Sequence, residues 1–150
     1  MNLESIKKYS KLSEMFNSDG HWFTAYPSLN HWTEDFIESE YRAKLKAFTQ
    51  TQKPTHLYIH IPFCKKLCFY CLCNLIVTND REKIQHFLDH LIAEIRMLGE
   101  FKPNIREIHL GGGTPSHLDL KQFGQLCDAL ETICDLKNLD EVAMEVDPRT

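Results

Sequence analysis

Four cysteines stand within ten consecutive positions, from Cys64 to Cys73, and this cluster constrains the chain more than any other feature. Core packing alone does not require four thiols so close together. The N-terminus lacks the apolar core of a secretory signal peptide, so the sequence predicts a cytoplasmic, reducing location where disulfides do not persist. The cluster is therefore typical of a metal site.

The spacing inside the cluster favours an iron–sulfur centre. Three residues separate Cys64 from Cys68 and two separate Cys68 from Cys71, and closely spaced thiolates of this kind hold iron–sulfur clusters. Zinc is an alternative, although structural zinc sites more often take two pairs of ligands from separate segments. A redox dithiol is another, because Cys68 and Cys71 form a C-x-x-C motif. Spacing alone leaves these alternatives open.

Beyond residue 54 the sequence alternates between strand and helix patterns. Strands are predicted at His56–Ile61, Arg106–Leu110 and Glu141–Asp147, and helices at about Asp80–Leu98 and Leu120–Leu136. The order β-α-β-α-β predicts parallel strands with right-handed crossovers. Three strands cannot close a barrel, so we expect an incomplete α/β domain over residues 55–150.

Local patterns predict the orientation of several side chains. In the first strand, Tyr58 and His60 alternate with apolar residues and should point away from the core. In the third strand, Glu145 lies opposite the apolar residues Val142, Met144 and Val146, which should meet helices. We therefore expect Glu145, with Ala143, to face the interior of a barrel.

The residues at the beginning of the first helix of this domain resemble an N-terminal capping pattern. Asn79 is expected to cap it, with Glu82 in the capping-box position.

Residues 1–54 have a different character and are predicted to form an N-terminal helical extension. Helices are expected at about Glu4–Phe16 and Thr33–Phe48, with an aromatic, turn-rich segment at Ser18–Trp32 between them. Pro54 marks the expected boundary with the α/β domain.

Charge and hydropathy exclude two classes of partner. The chain has 17 Lys+Arg against 21 Asp+Glu, a net charge of −4, and so lacks the basic footprint of a nucleic-acid-binding protein. It has no run of about 18 apolar residues, so no membrane span is expected.

The residues around the cysteine cluster resemble the radical S-adenosylmethionine (SAM) enzymes. Their C-x-x-x-C-x-x-C motif matches Cys64, Cys68 and Cys71. The wider string YIHIPFC, which ends at Cys64, is similar to one family among them, the oxygen-independent coproporphyrinogen III oxidases. Cys73 extends the motif as in that family, while Leu72 stands where glycine is expected.

Two later motifs follow in the order of that family. They are GGGTPS at Gly111–Ser116, after the second strand, and EVDPR at residues 145–149, at the end of the third. The resemblance implies the first three strands and two helices of a partial (β/α)6 barrel. The family's enzymes are longer, and complete the barrel with segments that this chain does not contain.

The resemblance also implies the cofactors. Cys64, Cys68 and Cys71 would hold a 4Fe–4S cluster with one iron left open for SAM, so Cys73 is not needed as a ligand. The SAM contacts implied are Tyr58, Tyr70, Gly112, Gly113, Thr114 and Glu145. The amides of the glycine turn would hold the amino acid part of SAM, and Tyr70 would lie near a second SAM molecule.

The implied reaction is the oxidative decarboxylation of two propionates of coproporphyrinogen III to the vinyl groups of protoporphyrinogen IX, in haem biosynthesis. The partners implied are the porphyrinogen substrate and an electron donor of flavodoxin or ferredoxin type. Because half of the barrel wall is missing, we expect the 150 residues alone not to turn over substrate. The alternatives are a haem-handling or methyl-transferring radical SAM enzyme and a non-catalytic zinc or iron–sulfur module.

Overall fold

The computed structural model describes residues 33, 35 and 37–149, in which strands and helices alternate as the sequence pattern predicts. The elements in chain order are α1 (Glu38–Gln50), β1 (Thr55–Ile61), β2 (Phe63–Cys64), β3 (Ile76–Val77), α2 (Arg81–Gly99), β4 (Ile105–Gly112), α3 (Leu120–Glu131) and β5 (Glu141–Met144). Short 3-10 turns occur at Pro115–His117 and Leu136–Asn138.

The N-terminal predictions are only partly covered by the described residues. The helix expected at about Glu4–Phe16 and the segment Ser18–Trp32 lie outside them. The helix expected at Thr33–Phe48 is present as α1, which begins at Glu38 and ends at Gln50. The boundary at residue 54 stays a prediction. In the described part of the chain, no helix combines the length and apolar character needed to cross a membrane.

The main sheet is parallel, with strand order β1-β4-β5. In the β1–β4 register, Tyr58 pairs with His109 and Ile61 pairs with Gly112. In the β4–β5 register, His109 pairs with Ala143. The predicted β-α-β-α-β order is thus confirmed for the described strands. β4 extends to Gly112, beyond its predicted end, whereas β5 ends at Met144, before its predicted end.

One apolar core joins the sheet to α2 and α3. Its centre includes one completely buried side chain from each of β1, α2 and α3, namely Ile61, Leu88 and Leu126. The i, i+3, i+4 spacing on α2 turns one face of the helix toward the sheet. Burial of each such side chain contributes about 1.5–3 kcal/mol. Tyr58 and His60 lie on the opposite face of β1 from this core, as predicted.

The start of α2 differs from the prediction by one residue. Asp80, and not Asn79, is the cap: its carboxylate accepts hydrogen bonds from the amide of Glu82 at 3.0 Å and from the next amide at 3.1 Å. Both residue types cap helices well, so the sequence did not distinguish them. Because Glu82 is the second helical residue, it cannot close a capping box. α3 ends at Glu131, well before the predicted end.

The outer edge of the sheet is apolar and exposed. Val142 is 58% exposed and Val146 is 60% exposed, and Met144 is 40% exposed. The prediction that these side chains meet helices is wrong for the described residues, because α2 and α3 leave this edge uncovered.

Replacement of Leu88 by alanine is expected to lower the free energy of unfolding by about 2–5 kcal/mol, because the side chain is fully buried and the cavity left behind cannot fill completely. The matched control is Leu120→Ala, since Leu120 is 94% exposed and should change stability by less than about 0.5 kcal/mol. Urea unfolding followed by circular dichroism measures both. Equal effects of the two substitutions would contradict the assigned core.

Candidate functional site

Two short strands close the base of the cysteine loop. β2 pairs in parallel with β3, with Cys64 opposite Val77. The amide of Thr78 donates to the Cys64 carbonyl at 3.0 Å, and the amide of Ile76 donates to the Pro62 carbonyl at 2.6 Å. All four clustered cysteines therefore lie on a loop whose two ends are tied together. The sequence pattern missed this pairing because two residues are too few to show an alternation.

The four thiols differ in their surroundings. Cys64 is buried, with its sulfur 3.2 Å from the hydroxyl oxygen of Thr114 on the glycine turn. Cys68 and Cys71 are half-buried, and the amide of Cys71 donates to the Cys68 carbonyl at 3.1 Å in a tight turn. Cys73 is exposed. Partial desolvation, and then a hydrogen bond with Cys71, raise the pKa of the Cys73 thiol.

The donor chemistry of this loop fits an iron–sulfur cluster. Among residues 33, 35 and 37–149, no three His, Cys, Asp or Glu side chains converge closely enough to hold a metal ion. Cys64, Cys68 and Cys71 nevertheless supply three soft sulfur donors from one closed loop, which suits iron and sulfide better than a hard cation. The three cysteines are therefore the residues that would hold such a cluster.

The glycine turn packs directly on the base of the cysteine loop. The amide of Gly113 donates to the Ile61 carbonyl and the amide of Thr114 donates to the Phe63 carbonyl, both at 2.8 Å. A β-carbon on Gly113 would lie 2.8 Å from the Phe63 carbonyl oxygen, so no side chain fits there. The absence of a side chain allows the two loops to touch.

Gly112 is required by its backbone conformation. Its φ of +105° lies in a region that other residues rarely adopt, and a β-carbon would lie 2.6 Å from the imidazole of His60. Its amide donates to the carboxylate of Glu145 at 3.2 Å. The amides of Gly112, Gly113 and Thr114 are thus all engaged within the protein. Their proposed contacts with SAM stay a prediction.

Glu145 directly follows β5 and faces the polar side of the sheet, as predicted. Its amide donates to the Leu110 carbonyl at 2.9 Å, which continues the β4–β5 pairing. Its carboxylate also lies 3.3 Å from Nε2 of His109, and its side chain is 51% exposed. The His109 ring stacks on Tyr58, with centroids 5.7 Å apart. The carboxylate is therefore held in place and still open to solvent.

His60 links β1 to the far end of the cysteine loop, a role that the sequence analysis did not assign. Its Nε2 lies 2.8 Å from the carbonyl oxygen of Asn74, which can only accept, so Nε2 carries the proton. Nδ1 is then the acceptor for the hydroxyl of Tyr58 at 3.2 Å. Partial desolvation, and then the charge of Glu145, raise the pKa of Tyr58 and favour this protonated phenol. The sequence feature that could have indicated this role is the alternation of the first strand, which places His60 on the same polar face as Tyr58.

Arg149, far from the cysteine loop in sequence, contacts that loop in the fold. Its Nη2 donates to the sulfur of Cys68 at 3.1 Å. The same guanidinium donates to both carboxylate oxygens of Asp147, through Nε at 2.8 Å and Nη2 at 2.7 Å. These hydrogen bonds lower the pKa of Asp147 to about 2 and raise the pKa of Arg149. Sequence reasoning missed this contact, because 81 positions separate the two residues that it joins.

The structure thus gathers most of the predicted site residues at one edge of the sheet. Cys64, Thr114, the glycines, Tyr58 and Glu145 are joined by the contacts described above. Tyr70 differs, because its side chain is 88% exposed on the cysteine loop. Its role at a second SAM molecule stays a prediction.

Comparison with known proteins agrees with this arrangement. No family model matches the sequence. An oxygen-independent coproporphyrinogen III oxidase from Mannheimia haemolytica is 35% identical over 144 residues, covering 91% of this chain and 94% of that protein. The protein of that name from Escherichia coli is 34% identical over 151 residues, covering 99% of this chain. The chain spans 33% of the length of the latter.

A solved structure shows the same fold. Coproporphyrinogen III oxidase (HemN) from Escherichia coli, described as a radical SAM enzyme, superposes with a TM-score of 0.68 at 35% identity, over 85% of this chain and 30% of that one. The mixed α/β fold with its parallel sheet is therefore that of a radical SAM enzyme. Within that class, the chain belongs to the family of oxygen-independent coproporphyrinogen III oxidases.

Replacement of Gly112 by alanine is expected to lower the free energy of unfolding by about 2 kcal/mol or more, because of its positive φ and the contact with His60. The matched control is Gly124→Ala within α3, where the new β-carbon meets nothing within 4 Å. That substitution should stabilise the chain by about 0.5–1 kcal/mol. Thermal unfolding compares the two variants, and a neutral Gly112→Ala would contradict the described turn.

Proposed function

We propose that this chain is the N-terminal part of a radical SAM enzyme that converts two propionates of coproporphyrinogen III to the vinyl groups of protoporphyrinogen IX, in haem biosynthesis. The observation that carries the proposal is the closed cysteine loop packed against the glycine turn, with Cys64 touching Thr114. Membership of the coproporphyrinogen III oxidase family supports the same substrate.

Cys64, Cys68 and Cys71 are the proposed ligands of a 4Fe–4S cluster, and the glycine turn with Glu145 is the proposed SAM site. When bound and reduced, the cluster with SAM supplies the one-electron radical chemistry that removes hydrogen from a substrate propionate. The sulfur of Cys64 lies 3.2 Å from the Thr114 hydroxyl, and as a cluster ligand it would be the acceptor of that hydrogen bond. This contact fixes the first ligand relative to the glycine turn.

The residues of the polar strand face bind and orient in this proposal. Glu145 is anchored by the Gly112 amide on one oxygen, and its exposed carboxylate accepts hydrogen bonds from the hydroxyl pair of a ribose. Tyr58 is held by His60 and presents its ring beside the same carboxylate.

Several finer features complete the proposal. The parallel sheet forms the first three strands of a partial (β/α)6 barrel. Residues 1–54 form a helical N-terminal extension, and the cytoplasm is the location. An electron donor of flavodoxin or ferredoxin type supplies the reducing electron. The 150 residues alone do not turn over porphyrinogen, because the substrate would lie against barrel wall that they do not include.

Metal analysis of the chain reconstituted without oxygen tests this proposal. Wild-type protein is expected to bind about four irons and four acid-labile sulfides. Cys68→Ser and Cys71→Ser should each lose most of this iron, since a hydroxyl is a poor ligand for the cluster. Both residues are half-buried, so the substitutions should leave the fold intact.

Cys73→Ser is the matched control, because Cys73 lies on the same loop and is not a proposed ligand. It should keep the iron and sulfide content of the wild type. Zinc bound without sulfide would contradict the enzyme proposal and favour a non-catalytic zinc module. Loss of iron in Cys73→Ser equal to that in Cys68→Ser would contradict the proposed ligand set.

A further inference from the structure

The contact between Arg149 and Cys68 joins the end of the third strand to the cysteine loop. The guanidinium has a fixed direction because Asp147, whose side chain is only 13% exposed, holds it through two nitrogens. A planar guanidinium can bind a carboxylate on one edge and still donate elsewhere. With Asp147 bound in this way, Nη2 of Arg149 also donates to the sulfur of Cys68 at 3.1 Å.

This contact places an oriented guanidinium donor beside one particular sulfur. The sulfur of Cys64 lies beside the neutral hydroxyl of Thr114, whereas the sulfur of Cys68 accepts from a charged donor. Hydrogen bonds to ligand sulfurs and local net charge are two factors that set the reduction potential of iron–sulfur clusters. Asp147 balances the charge of Arg149, so the hydrogen bond that Arg149 donates to the sulfur is the effect that stabilises the reduced form, which carries one more negative charge.

We propose that Arg149, held by Asp147, is a positioning residue that fixes the cysteine loop through Cys68 and raises the reduction potential of the cluster bound there. This inference rests on the proposed function, since it requires a cluster on Cys68. The residue acts through the sulfur and takes no part in the bond-breaking step.

The segment 145–149 contacts both the glycine turn and the cysteine loop. Glu145 at its start holds the glycine turn through the Gly112 amide, and Arg149 at its end holds the cysteine loop. Pro148 limits the backbone freedom between them. A single strand end thereby fixes the distance between the proposed SAM site and one cluster ligand.

The test compares Arg149→Met, Arg149→Lys and the control Arg106→Gln in the full chain. Arg106 also forms an ion pair, with Asp140, but it lies at the opposite end of β4, about 20 Å along the strand from the glycine turn. Reconstituted samples are titrated with dithionite, a one-electron low-potential reductant, and the reduced cluster is followed by electron paramagnetic resonance.

Arg149→Met should bind wild-type amounts of iron and titrate at a lower potential than the wild type. Arg149→Lys should fall between the two, because an ammonium keeps the charge without binding Asp147 and Cys68 in the same geometry. Arg106→Gln should match the wild type. Unchanged potentials in both Arg149 variants would overturn the inference. If Arg149→Met does not fold, an unchanged reduction potential in Arg149→Lys is enough to overturn the inference.

A second readout needs no cluster and separates this inference from the proposed function. In the metal-free chain, amide hydrogen exchange over residues 65–73 should be several-fold faster in Arg149→Met than in the wild type, and unchanged in Arg106→Gln. Equal exchange in all three proteins would overturn the positioning role. Wild-type protein that binds no cluster would instead contradict the proposed function, and the exchange result would still decide whether Arg149 holds the loop.

Discussion

The parallel pairing of β1 with β4 is the constraint on which the rest of the structure depends. It brings Ile61 level with Gly112, so the two strands end side by side. The pairing continues beyond both strands through the hydrogen bonds of Gly113 to Ile61 and of Thr114 to Phe63. Parallel strands place the loops that follow them at the same edge of the sheet. Backbone hydrogen bonds alone therefore place the cysteine loop next to the glycine turn.

Polar side chains then fix the two loops relative to each other. His60 binds the backbone at Asn74, and Glu145 binds the backbone at Gly112. Each of these contacts joins a side chain to a main-chain group of a neighbouring segment, so the segments at this edge are held together without a ligand. The stacked rings of Tyr58 and His109 fill the strand face between them. The side chains of this face are oriented by these contacts and are partly exposed.

The sequence predicted those features that depend on local pattern. The strand and helix order followed from hydrophobic period, and the cysteine motif located the loop by its spacing. Other features depend on distant contacts that no local pattern records. The β2–β3 pairing is too short to show a period, and the link from Arg149 to Cys68 exists only once the sheet has formed. The cap of α2 was wrong by one residue because Asn79 and Asp80 are equally suitable by type, and only the backbone conformation selects Asp80.

The proposed function places a cluster with one iron open to SAM at the edge shared by β1 and β4, beside a SAM site built from the glycine turn and Glu145. Electron paramagnetic resonance of the chain, reconstituted with iron and sulfide without oxygen and reduced with dithionite, tests it most directly. The account predicts a reduced 4Fe–4S signal whose shape changes when SAM is added. A cluster signal that SAM leaves unchanged, or the absence of any such signal, would contradict it.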